Sequence, residues 1–217
     1  GPSEEFSITV SPTAQVEQVD DIVVCDGINV EEIQFNSTNA NTIYSWSIDT
    51  AIGLDPLTGT GNIPLFEADN ATNDPIVATV SVTPSNNETD PSLACEGSSM
   101  EFTITVNPTA QVDPIASLDL CNGDNAIVDF TTSNGGVDSV TSYSWEVTGD
   151  DIGIPLLGND NINLTVTNET DADLVATVTV TPTYTNDGVD CTGPSEEFSI
   201  TVSPTAQVEQ VDDIVVC

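Results

Sequence analysis

The chain has 217 residues, with 36 aspartates and glutamates, no lysine, no arginine and no histidine, for a formal net charge of −36. A globular chain of this length normally holds about two dozen basic residues, so phosphate has nothing to bind to, and neither nucleic acid nor an anionic membrane surface is an expected partner. The same absence excludes a histidine-based triad, a histidine zinc site, a Lys–Asn isopeptide cross-link and any side-chain salt bridge.

Short runs alternate between apolar and polar residues along the whole chain, separated by Gly, Pro, Asn and Asp, which is the pattern of an all-β protein. Ile22 and Val24 lead into Cys25 and a turn at Asp26–Gly27. Ile33 and Phe35 follow, then Tyr44, Trp46 and Ile48 on one face, and a short run from Ile63 to Phe66. The clearest strand carries Ile76, Ala78, Val80 and Val82, and the last carries Met100, Phe102, Ile104 and Val106. The plan then recurs with Leu118, Leu120 and Cys121, with Val128 and Phe130, and with Tyr143, Trp145 and Val147. Leu174, Ala176, Val178 and Val180 form its clearest strand, and Phe198, Ile200 and Val202 its last. Such period-two alternation means one buried face and one wet face. It argues against disorder despite the acidic composition. No apolar run approaches the length that would span a membrane, so no membrane insertion is expected.

Residues 1–25 and 193–217 are identical, a period of 192 residues that PTAQV at Pro12, Pro108 and Pro204 divides into halves of 96. Repeats of this kind fix the architecture before any single motif does. The expected organisation is the last strand of a preceding repeat at 1–11, β-sandwich domains at 12–107 and 108–203, and the first strand of a further repeat at 204–217. About seven short strands and one buried tryptophan per repeat fit a two-sheet sandwich. The connection Val106–Asn107–Pro108–Thr109 is too short and stiff for a flexible linker, so the repeats are expected to stack end to end as a rod. The cysteines follow the same 96-residue spacing, which suggests one disulfide per domain, Cys25 with Cys95 and Cys121 with Cys191. Each bond would close about 70 residues, worth roughly 4 kcal/mol in the loop-entropy account, and implies an oxidising compartment. Cys217 copies Cys25.

Each half carries Cys-x-Gly, Tyr-x-Trp, a V-A-T-V-x-V-T-P strand, a second Cys-x-Gly and F-x-I-T-V-x-P. In the first half these are Cys25–Asp26–Gly27, Tyr44–Ser45–Trp46, Val77–Pro84, Cys95–Glu96–Gly97 and Phe102–Pro108. The pattern resembles the PKD-like, immunoglobulin-like repeats of giant secreted surface proteins of Bacteroidota, including gliding-motility adhesins of the SprB type. The resemblance covers the whole chain. It implies export, through the type IX route, and display at the cell surface as a filament, with no catalytic residue.

Clustered acids raise the question of calcium, which takes carboxylate and carbonyl oxygens. The candidate ligands are Asp69 with Asp74, Asp150 with Asp151, and Asp171 with Asp173, none at EF-hand spacing, with diffuse cation condensation as the plainer reading. Asp49–Thr50–Ala51 and Asp138–Ser139–Val140 resemble the D-S/T-hydrophobic acceptor of Bacteroidota O-glycosylation, which would make Thr50 and Ser139 glycan sites. N-x-S/T sequons stand at Asn36, Asn70, Asn87, Asn163 and Asn168. The acids are scattered over every loop rather than paired in a cleft, so no enzyme is expected. The sequence therefore reads as a stiff, acidic stalk of an extracellular filament or giant adhesin whose partners are its own neighbouring repeats. The alternatives are an adhesive module for calcium or surface glycans, and a subunit of a self-assembling filament.

Overall fold

A computed structural model describes residues 3–6, 8, 10, 12–39, 41–86 and 95–208, so Asn87, Cys217 and the rest of 209–217 lie outside the described residues. Every regular element described is a strand. The chain divides into two compact units. The first runs to Thr109 and includes two loops of the second sequence repeat, Gly135–Ser139 and Asn186–Cys191. The second takes Ala110–Asn134, Val140–Thr185 and the residues from Thr192 onward.

In the first repeat the strands are β1 (Ile22–Cys25), β2 (Asn29–Val30), β3 (Thr42–Ile48), β4 (Thr58–Thr60), β5 (Phe66–Glu67), β6 (Ile76–Asn86) and β7 (Met100–Asn107). They form a sheet in the order β1-β7-β6-β3-β4, faced by the small pair β2-β5 and an isolated bridge between Ile33 and Ile63. Trp46, Ile48, Ala78, Val80, Val82, Phe102, Ile104 and Val106 point inward from the large sheet against Val30, Ile33, Phe35, Ile63 and Phe66. This is the inner half of the period-two alternation. Thr and Ser take the outer half of β6, where the burial alternates residue by residue.

The second repeat is built alike from β8 (Leu118–Cys121), β9 (Asn125–Val128), β10 (Val140–Gly149), β11 (Leu157–Asn159), β12 (Ile162–Thr165), β13 (Leu174–Asn186), β14 (Val189–Thr192) and β15 (Glu196–Ser203). Its sheet order is β11-β10-β13-β15-β8, with β14 also on β13 and the pair β12-β9 opposite. Residues 4–11 repeat the sequence of β15, yet among the described ones (4–6, 8 and 10) none is in a strand. β15 exists because β13 supplies its hydrogen bonds, so the strand predicted over 1–11 needs a neighbour that sequence alone does not provide.

Five short strands, β2, β4, β11, β12 and β14, were not predicted. β4 and β11 have no apolar alternation, but each places a glycine opposite the tryptophan of the central strand, Gly59 against Trp46 and Gly158 against Trp145. The indole lies over the glycine, so that a Cβ on either would run into the ring. Glycine is therefore a packing requirement here.

The first strand of each repeat pairs in parallel with the last: Ile22 faces Ile104 and Cys25 faces Asn107, while Ile200 faces Leu118 and Ser203 faces Cys121. This overturns the expected disulfides. Cys25 sits at the exit end of β7, whereas Cys95 precedes its entry end, and at ~3.3 Å per residue the strand between them is ~23 Å long. A disulfide needs Cα atoms within roughly 7 Å. Cys25 is bonded instead to Cys191, with the Cα atoms 5.5 Å apart. Cys121 and Cys191 are separated along β15 in the same way, and Cys121 carries a thiol on the surface.

Gly158→Ala is expected to lower unfolding stability by about 1–3 kcal/mol through overpacking against the indole, measured by urea denaturation. Gly193→Ala is expected to cost more, because its Cβ would meet the backbone oxygen of Ala110 rather than a side chain.

Candidate functional site

The site is the exit end of the first repeat, where β1 and β7 finish side by side. Gly27 turns the chain there with φ 76°, a conformation that favours glycine. Asp26 receives the Asn70 backbone N–H on Oδ1 at 2.8 Å and the Thr109 hydroxyl on Oδ2 at 2.8 Å, while its own N–H reaches Asn107 O at 2.9 Å. One side chain thus joins the turn, the β5–β6 loop and the outgoing chain.

Within the same unit the tip residues Asn186–Cys191 reach this end. Asp187 (φ 48°) and Gly188 (φ 74°) both have positive φ, as a two-residue type I′ hairpin between β13 and β14 requires. The hairpin delivers Cys191, 2% exposed, to Cys25. Asn107 is fully buried and pairs with Asn186: Asn186 Nδ2 donates to Asn107 Oδ1 at 2.8 Å, and Asn107 Nδ2 donates to Asn186 O at 3.4 Å. Gly135 N–H donates to Asn73 O at 2.9 Å. Two buried amides satisfying one another hold the hairpin tip in place within this unit.

The entry end is marked by the second Cys-x-Gly. Gly97 N–H donates to Pro84 O at 2.9 Å and Gly193 N–H to Pro182 O at 3.1 Å. A Cβ on Gly97 would collide with Ala14 O, and one on Gly193 with Ala110 O. The buried alanines of the PTAQV motif therefore lie against these glycines. The two Cys-x-Gly motifs differ in purpose, one for a left-handed turn and one for close backbone approach.

Two of the six calcium candidates, Asp150 and Asp151, use a carboxylate oxygen to accept a backbone N–H. Asp150 Oδ2 accepts Val175 N–H at 2.8 Å and Asp151 Oδ1 accepts Gly153 N–H at 2.9 Å. Asp74 O accepts from Asn70 Nδ2 and from the Thr72 hydroxyl. Asp69, Asp171 and Asp173 are exposed on the loops entering β6 and β13. Among the described residues no three acidic or cysteine side chains converge where a metal ion could be held.

Two sequons are structural. Asn70 and Asn168 are 3% and 2% exposed. Asn168 Nδ2 donates to Ala172 O and Val202 O, and its Oδ1 accepts the Thr170 N–H and hydroxyl; Asn70 makes the equivalent set with Asp74, Val106 and Thr72. Asn36 and Asn163 are exposed. Thr50 and Ser139 are half-buried; the Ser139 hydroxyl donates to Gly135 O and Gly136 O. The Asp49 carboxylate beside Thr50 is held below the usual range, first by the Thr79 N–H at 2.8 Å and then by the Thr50 hydroxyl. Its stabilising bond is present at neutral pH and is lost only as pH falls through that lowered value.

Asn168→Ala is expected to lower stability by about 2–3 kcal/mol, because a buried amide loses its bonds to Val202 O and Ala172 O together. Asn163→Ala is expected to change it by less than about 0.5 kcal/mol, both read by thermal unfolding. With no cation to pair with any acid, salt only relieves repulsion. Raising NaCl from about 0.01 to 0.5 M, which shortens the screening length from about 30 Å to a few Å, is expected to raise Tm monotonically, and a fall would overturn this electrostatic account.

No protein-family model matches the sequence, and no curated protein matches it. Among solved structures the chain is similar to Drosophila N-cadherin EC1-4 at 14% identity and TM-score 0.40, covering 88% of this chain and 50% of that one. It is also similar to mouse cadherin-23 EC22-24 at 13% identity and TM-score 0.38, covering 88% and 67%, and to the tandem Ig repeats of Dlar at 12% identity and TM-score 0.28, covering 88% and 100%. The chain spans half the length of the N-cadherin fragment.

Proposed function

We propose that this chain is a stretch of a structural tandem-repeat stalk, an acidic spacer in an extracellular cell-surface filament or giant adhesin. The observation that carries this reading is the bond from Cys25, at the exit end of one repeat, to Cys191, at the entry end of the next. A bond inside one repeat protects that repeat alone. A bond between repeats makes their connection part of the covalent frame. Parallel first and last strands add support, since the chain leaves each repeat at the end opposite to where its first strand begins.

Under tension the bond removes what lies between Cys25 and Cys191 from the load path, a separation of 166 residues in a chain of 217. Only residues 1–25 and 191–217 are left to extend. The charge of −36 keeps neighbouring filaments apart, and the lack of Lys and Arg denies a trypsin-like protease any cleavage site. A disulfide of this kind belongs to an oxidising, extracellular setting. The resemblance to PKD-like repeats of Bacteroidota surface proteins, gliding adhesins of the SprB type among them, fits the same reading, in which the partners are neighbouring repeats.

Pulling the oxidised chain by its two ends tests the proposal. At ~3.5 Å per residue, the 166 residues inside the bond represent roughly 580 Å of contour that the oxidised chain is expected to withhold. The reduced chain and Cys191→Ser are expected to release it. Full release from the oxidised chain would sink the stalk reading.

A further inference from the structure

We infer that Cys121 is the exit-end half of a second inter-repeat disulfide, made to the entry-end cysteine of the following repeat. This rests on the stalk reading and extends it from one bond to a continuous series. The local frame of Cys121 reproduces that of Cys25. β8 ends at Cys121 opposite Ser203 as β1 ends at Cys25 opposite Asn107. Asn122 N–H donates to Ser203 O at 2.9 Å, as Asp26 N–H does to Asn107 O. Gly123 turns with φ 90° where Gly27 turns with φ 76°. The outgoing chain is tied in the same way, by Asn122 Nδ2 to the Thr205 hydroxyl at 3.0 Å, matching Thr109 to Asp26.

What differs is cover. Cys25 is half-buried within its bond and Asn107 fully buried, whereas Cys121 is exposed and Ser203 only half-buried. Cys191, the other cysteine of the second repeat, is already bonded and stands beyond the far end of β15. The identity of 193–217 with 1–25 sets a following repeat in register. The entry-end position there is that of Cys95, whose Cys-x-Gly makes the same glycine bond and the same alanine approach as Cys191–Thr192–Gly193. With a period of 192 residues that cysteine falls 166 residues after Cys121, the separation of the bond already formed.

The bond forms by exchange with a disulfide-bearing oxidant. The Cys121 thiolate attacks the oxidant's disulfide and expels one of its thiolates. The entry-end thiolate then attacks the Cys121 sulfur in the mixed disulfide, and the oxidant leaves as a dithiol. Two thiols become one disulfide, and the oxidant takes up two electrons and two protons.

The test is a chain extended by a second 192-residue period, folded with oxidised glutathione, alkylated with iodoacetamide and cleaved at Glu and Asp, since trypsin has no site. Non-reducing mass spectrometry is expected to find Cys121 joined to the second copy of Cys95. In Cys121→Ser of the extended chain that copy is expected to become alkylated while Cys25–Cys191 persists. Alkylated Cys121, or Cys121 joined within its own period, with Cys25–Cys191 intact, overturns this inference alone. Loss of Cys25–Cys191 as well overturns the stalk reading with it.

Discussion

The parallel pairing of β1 with β7, and of β8 with β15, governs the rest of the molecule. A first strand laid antiparallel to the last would have brought its terminal cysteine beside the loop that precedes that last strand, and each repeat could have closed on itself. Parallel registry puts Cys25 beside Asn107 instead. The two cysteines of one repeat are then held at opposite ends of a strand that cannot shorten. A covalent bond made by such a cysteine must leave the repeat. Strand direction rules out Cys95 as the partner, and the hairpin at Asp187–Gly188 supplies Cys191.

Strand direction was the part of the fold that composition and spacing did not encode. Alternation reveals which residues face inward, so the cores built on Trp46 and Trp145, and the strands around Ile76–Val82 and Leu174–Val180, were legible as they stand. The 96-residue recurrence of cysteine was legible too, but it equates positions without saying which pair of positions meets. Neighbourhood in sequence favoured Cys25 with Cys95, and the parallel edge strand defeated it. β4 and β11 were hidden for a different reason. Their identity lies in Gly59 and Gly158, which make room for an indole, and an absent side chain leaves no hydrophobic signal.

The acids and amides tell a similar story. In the sequence, Asp-rich loops raise the question of cation sites, with diffuse condensation the plainer reading, and Asn-x-Thr shows only as a sequon. In the folded chain Asp26, Asp150 and Asp151 accept backbone N–H groups, and Asn70 and Asn168 are buried with both side-chain donors and their oxygen engaged. A chain without Lys or Arg has no ion pairs with which to fix its loops. Its polar side chains do so by bonding the backbone, and the signature that could have revealed this was the recurrence of the same Asn-x-Thr 98 residues apart, just ahead of the matching strands β6 and β13.

Magnitudes decide what the unexpected connectivity changes. In the loop-entropy account a bond closing about 70 residues is worth roughly 4.4 kcal/mol, and one closing about 166 residues roughly 5.2 kcal/mol. The difference is under 1 kcal/mol, so an inter-repeat bond stabilises the folded state scarcely more than an intra-repeat one would. Its effect lies in coupling. With Cys25 joined to Cys191, the strands from β2 to β13 cannot be drawn out from the chain ends while the bond holds, because tension passes through sulfur, and β1 and β15 are the strands left in the load path. An intra-repeat bond would have left each connection to bear the load through backbone hydrogen bonds and the Asn107–Asn186 pair. Strand direction, by sending the bond out of its own repeat, takes what lies between Cys25 and Cys191 off the covalent path between the chain ends.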